Sequence, residues 1–153
     1  MRQLGSPFGA EREQMNIVLA YFSKTGHSKK IMEAVSKSMG LTAHNLKDTP
    51  VPGEIDLLIL ATGIYASQSD PALLGWIEKL GPGQVKRAAL ITSSMSRGYQ
   101  AAVREALTKK GVKVDGDEYT CKGSFLFFGL GHPDATEIEG AIAFAKKAAA
   151  QQG

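Results

Sequence analysis

Ser23, Thr25 and Ser28 place three hydroxyls within six residues, with Gly26 among them, in the stretch SKTGHS. The apolar run IVLAYF precedes it directly, and an amphipathic stretch follows. That order reads as a buried strand, a tight polar loop and a helix start. The unpaired N–H groups of a first helical turn, together with the helix dipole, form an anion seat without a dedicated cation. Hydroxyls spaced through the loop can reach several oxygens of one phosphate. The chemistry expected here is phosphate binding. Lys24 and Lys29 are candidates to neutralise the anion, and His27 is expected to give only its backbone N–H.

Two more apolar runs end in polar, hydroxyl-rich loops, TGIYASQS and TSSMSRG. A serine or threonine after a strand commonly caps the next helix, so one such loop says little. Three of them, at the ends of the most apolar runs, point to a small-molecule site.

These loops need a scaffold, and the hydrophobic pattern supplies one. Strands are expected over residues 16–21, ending near Phe22, and over 41–46, 56–61, 88–92 and 112–121. The second is more polar, as an edge strand would be, and the last is interrupted near Asp115-Gly116 by a bend or bulge. Ile31, Val35 and Met39 mark one face of the first helix, which Gly40 stops. Asp70-Pro71 starts the next helix, with Leu73, Trp76, Ile77 and Leu80 inward. Ala102, Val103, Ala106 and Leu107 face inward in a third helix, closed by Gly111. Asp134 and Glu137 form a capping-box-like start to a fourth, with Ile138, Ala141, Ile142 and Ala145 towards the core. Strands alternating with helices imply a parallel sheet covered on both faces. In such sheets ligands sit beyond the carboxyl ends of the strands.

The totals narrow the function. A chain of 153 residues, 43% hydrophobic, suits one domain with an ordinary core. No apolar run approaches the ~20 residues of a membrane span, and residues 1–14 read as a polar arm without a signal-peptide core. The charge of +3 comes from 18 basic and 15 acidic residues spread along the chain, which does not favour nucleic acid. The single cysteine, Cys121, excludes an internal disulfide framework, fits a cytoplasmic setting and reads as a small buried hydrophobe. No metal-ligand cluster stands out. His44 is expected on an edge strand and His132 in a turn. Phe125, Phe127 and Phe128 either pack beneath the loop after the last strand or cover a ligand.

With SKTGHS in a strand–loop–helix context, the chain resembles the flavodoxin family, whose phosphate loop after the first strand runs S/T-x-T-G-x-S/T. LILATGIYA is similar to the family's second flavin-contacting loop. The resemblance extends from about Met15 to Ala150 and is to the short-chain type. It implies a flavodoxin-like three-layer α/β/α sandwich, with a five-stranded parallel sheet in order 2-1-3-4-5 and noncovalent FMN. By the same resemblance Ser23, Thr25 and Ser28 would bind the phosphate through hydroxyls, and Lys24, Thr25, Gly26, His27 and Ser28 through backbone N–H groups. Gly26 would let the backbone approach closely. Thr62, Gly63, Ile64, Tyr65 and Ala66, with Thr92, Ser93, Ser94 and Met95, would hold the isoalloxazine ring, Tyr65 stacking on it.

Residues 15–153 would form that domain behind the 1–14 arm, as a monomer or weak dimer. The expected role is electron transport between a reductase and an acceptor, with redox partner proteins and neither nucleic acid nor membrane. An FMN-dependent NAD(P)H oxidoreductase acting on quinones or other small acceptors is the alternative, and a non-redox phosphate-ligand domain the second. The chain is basic, and its second and third loops carry no carboxylate before Asp70. A reduced, anionic flavin is therefore expected to be less destabilised than is typical of the family, giving a less negative potential.

Overall fold

In the computed structural model the described residues are 15–22, 26–48, 53–63, 71–93, 101–121 and 135–151. The strands are β1 (Ile17–Phe22), β2 (Ala43–Asn45), β3 (Ile55–Gly63), β4 (Val85–Ser93) and β5 (Lys113–Cys121). The helices are α1 (His27–Met39), α2 (Pro71–Glu78), α3 (Ala101–Lys109) and α4 (Ala135–Ala150). All strand pairs are parallel, in the order β2-β1-β3-β4-β5. This is the order 2-1-3-4-5 that the resemblance implied.

Burial follows the pleat, in which successive side chains point to opposite faces. Val18, Ala20, Phe22, Leu58, Leu60 and Leu90 pack with Leu73 and Ile77 of α2 and Val103 and Leu107 of α3. Leu19, Tyr21, Leu57, Ile59, Ala89 and Ile91 pack with Ile31, Met32 and Val35 of α1 and Ala141, Ala145 and Ala148 of α4. The sheet is thus the middle of three layers. Each fully buried Leu or Ile on it contributes on the order of 1.5–3 kcal/mol. Ala102 was expected inward but is exposed in the first turn of α3. Val103, Ala106 and Leu107 form the contact stripe there.

The element ends follow local chemistry. Gly40 takes φ 71° and donates its N–H to the Ser36 carbonyl at 2.9 Å, which ends α1. β2 has only three residues, shorter than the expected 41–46, because it pairs on one side only, with β1. β3 and β4 run longer than expected, since each has neighbours on both sides to bond.

The expected irregularity in the last strand is present. Between the pairs Ala88–Val114 and Leu90–Glu118, β4 advances two residues and β5 four. At this bulge the buried Arg87 donates to both carboxylate oxygens of Asp115, at 2.8 and 2.9 Å. It also donates to the Ala148 and Gln151 carbonyls at the end of α4. One arginine therefore ties the edge strand to the C-terminal helix.

Candidate functional site

The carboxyl ends of β1, β3 and β4 lie side by side. Phe22 pairs with Thr62, Thr62 with Thr92, and Gly63 with Ser93. Register alone therefore gathers the expected residues Thr62, Gly63, Thr92 and Ser93 at one sheet edge, next to the point where β1 leads into SKTGHS. Among the described residues, the buried polar or charged ones are Ser28, Thr62, Arg87, Thr92 and Ser93. Thr62, Thr92 and Ser93 belong to this edge, and Ser28 to the first turn of α1. Buried polar groups concentrated at strand ends mark a site, because burial is costly for them elsewhere.

Gly26 stands at the start of α1 with φ 92° and ψ −4°, and its carbonyl accepts the first helical bond, from Lys30 N–H at 3.0 Å. A side chain would be strained in this left-handed conformation. A Cβ there would meet nothing within 4 Å among the described residues, so the need for glycine is conformational. Gly26 offers no side-chain cap, and no acidic residue occupies the first turn. An anion is therefore not repelled, and the dipole favours it.

Ser28, on the first turn, is 1% exposed. Its Oγ is the one buried side-chain polar atom without a hydrogen-bond partner among the described residues. Leaving such a hydroxyl unsatisfied costs about 1–3 kcal/mol, and an atom of this kind calls for a partner from outside the protein. The residues present therefore fit a phosphate group at the start of α1. Across the edge, Thr92 donates its hydroxyl to the Glu118 carboxylate, which also accepts from Arg104 Nε at 3.1 Å.

Of the expected site residues, strand register sets Thr62, Gly63, Thr92 and Ser93 side by side, while Gly26, His27 and Ser28 open α1. Ser23, Lys24, Thr25, Ile64, Tyr65, Ala66, Ser94 and Met95 lie outside the described residues, as do His132 and the Phe125–Phe128 group. Glu118 and Arg104 were not anticipated. A charged residue on a strand expected at the sheet edge reads as solvated, and only the partner's position reveals otherwise. The signal in the sequence is Glu118 in alternation with the bend at Asp115-Gly116.

No protein-family model matches the sequence, and comparison with curated proteins gives no match. Solved structures do match. A flavodoxin from the domain Archaea has TM-score 0.64 at 15% identity, covering 87% of this chain and 98% of that one. A short-chain flavodoxin associated with a PDU bacterial microcompartment has TM-score 0.61 at 16% identity, covering 89% of this chain and all of that one. Rubredoxin oxygen:oxidoreductase from the anaerobe Desulfovibrio gigas has TM-score 0.65 at 17% identity. There the match covers 92% of this chain but 37% of that one. At such identities the likeness concerns architecture, and in architecture the chain is a flavodoxin-like α/β/α sandwich.

Proposed function

We propose that the protein binds FMN noncovalently and carries electrons between a reductase and an acceptor protein. The observation that carries this is the buried Ser28 Oγ at the start of α1, unpartnered among the described residues, in the strand–loop–helix context of SKTGHS. Ser28, with Ser23 and Thr25, would hydrogen-bond the phosphate, while backbone N–H groups of residues 24–28 surround it. Residues 62–66 and 92–95 would flank the isoalloxazine, with Tyr65 stacked on it. Bound FMN supplies the electron chemistry. The chain binds and orients it. Residues 15–153 serve as the binding domain, and a cytoplasmic setting with redox partner proteins suits the reading. Among the described residues no helix is long and apolar enough to cross a membrane.

The test is direct. The purified chain should be yellow, or should take up added FMN and show its two visible bands. It should then reduce an acceptor protein only when a reductase is added. Turnover of NADH with a quinone by the isolated chain would favour the oxidoreductase instead. A colourless protein that fails to take up FMN would contradict both.

A further inference from the structure

Glu118 joins two pieces of chain that residues 94–100 separate. Its side chain is 1% exposed. It accepts a hydrogen bond from Thr92, near the end of β4, and another from Arg104 Nε of α3 at 3.1 Å. Arg104 Nη1 also donates to the Asp115 carbonyl in the β5 bulge, at 2.8 Å. One carboxylate thus fixes the strand that enters the 94–100 connection relative to the helix that leaves it. Desolvation cancels most of the Coulomb attraction of such a pair, so net stability is a poor reason for its place. Charge-assisted bonds are short and directional, and that suits setting a geometry.

We propose that Glu118 is a positioning residue for the ring end of the cofactor site. It holds Thr92, and so the end of β4, in the place from which the third loop departs. This rests on the FMN reading of the site. Glu118 acts through Thr92, and the phosphate end, at α1, is independent of it.

Two variants of the full chain test this. Thr92→Val removes the hydroxyl at nearly constant shape and leaves Glu118 paired with Arg104. Glu118→Gln removes the charge. FMN and riboflavin should each bind more weakly to both variants, by at most about tenfold, because ordering the end of β4 then falls on the binding step. The ratio of the two affinities should stay at its wild-type value. The visible circular dichroism of the bound flavin should change, and Thr92→Ser, which keeps the donor, should restore it. If Glu118→Gln fails to fold, Arg104→Met, which removes the other anchor of Glu118 and leaves Thr92 intact, should show the same weakening and the same change of dichroism. Wild-type affinity and dichroism in the variants, even with a lowered melting temperature, would overturn the positioning role while leaving FMN binding intact. A wild-type chain that binds neither flavin would overturn the FMN reading and this inference together.

Discussion

Replacing Ser28 by alanine should change the free protein and its flavin complex in opposite directions. The side chain is 1% exposed, and its hydroxyl has no partner among the described residues. In the free protein the hydroxyl has been taken from water without compensation, at a cost of about 1–3 kcal/mol. Alanine removes that cost and adds a few tenths of a kcal/mol in helix propensity, roughly 0.5 at most. The small void left by one oxygen subtracts part of the gain. The net expectation is ~1–2 kcal/mol of added stability, or roughly 2–4 °C per kcal/mol in melting temperature for a chain of this size. In the complex the same substitution removes a hydrogen bond to a charged phosphate, worth about 1.5–3 kcal/mol. FMN affinity should therefore fall by roughly ten- to a hundredfold. Riboflavin, which lacks the phosphate, should bind as before. Thermal unfolding of the apo chain and fluorescence titration with the two flavins give all three values. A destabilised apo protein with unchanged FMN affinity would refute the reasoning, since the hydroxyl would then have a structural partner.

Gly140 of α4 lies against Tyr119, whose hydroxyl donates to the Glu137 carbonyl at 3.0 Å. A Cβ on Gly140 would overlap the Tyr119 hydroxyl and ring, so Gly140→Ala should lower the urea midpoint despite ~1 kcal/mol of helix propensity gained, because overpacking costs about 1–3 kcal/mol. Arg87→Ala breaks the pair with Asp115 and removes the arginine donors to the Ala148 and Gln151 carbonyls at the end of α4; a loss of about 3–5 kcal/mol is expected in denaturant unfolding. Asp56 accepts from the Asn16 backbone N–H at 2.8 Å and pairs with Lys86 at 3.2 Å. These hold its carboxyl below the ordinary 3.8. The stability this adds is present above 3.8 and is lost as pH falls through the lower folded value, so Asp56→Asn should flatten the acid limb of a stability-versus-pH curve.

The parts of this protein that local chemistry determines were legible in the sequence. A hydrophobic run, a glycine needing positive φ and a helical stripe are all read within a dozen residues. Hence the end of α1 at Gly40 and the bulge at Asp115-Gly116 stand where expected, whereas the strand order was implied by the family resemblance and not by local pattern. The pairing Phe22–Thr62–Thr92, which assembles the site edge, follows once the order is known. Burial of charge was not legible. Arg87 lies 28 residues from Asp115, and Arg104 lies 14 from Glu118. Arg87 lies before the strand expected over 88–92, and nothing in its neighbourhood in sequence marks it for burial. Only the bulge and the end of α4 give it partners. Ser28 reads as a phosphate-binding hydroxyl from its place in SKTGHS, but its burial and its lack of a partner among the described residues were not legible.

Amide NMR of the apo chain, titrated with FMN and separately with riboflavin, tests the phosphate seat most directly. FMN should shift the backbone N–H signals of Gly26, His27, Ser28 and Lys29 at the start of α1, and riboflavin should leave them in place. Thr62, Gly63, Thr92 and Ser93, at the other strand ends, should respond to both ligands. If FMN binds while the four α1 signals stay unmoved, the phosphate does not sit at the start of that helix.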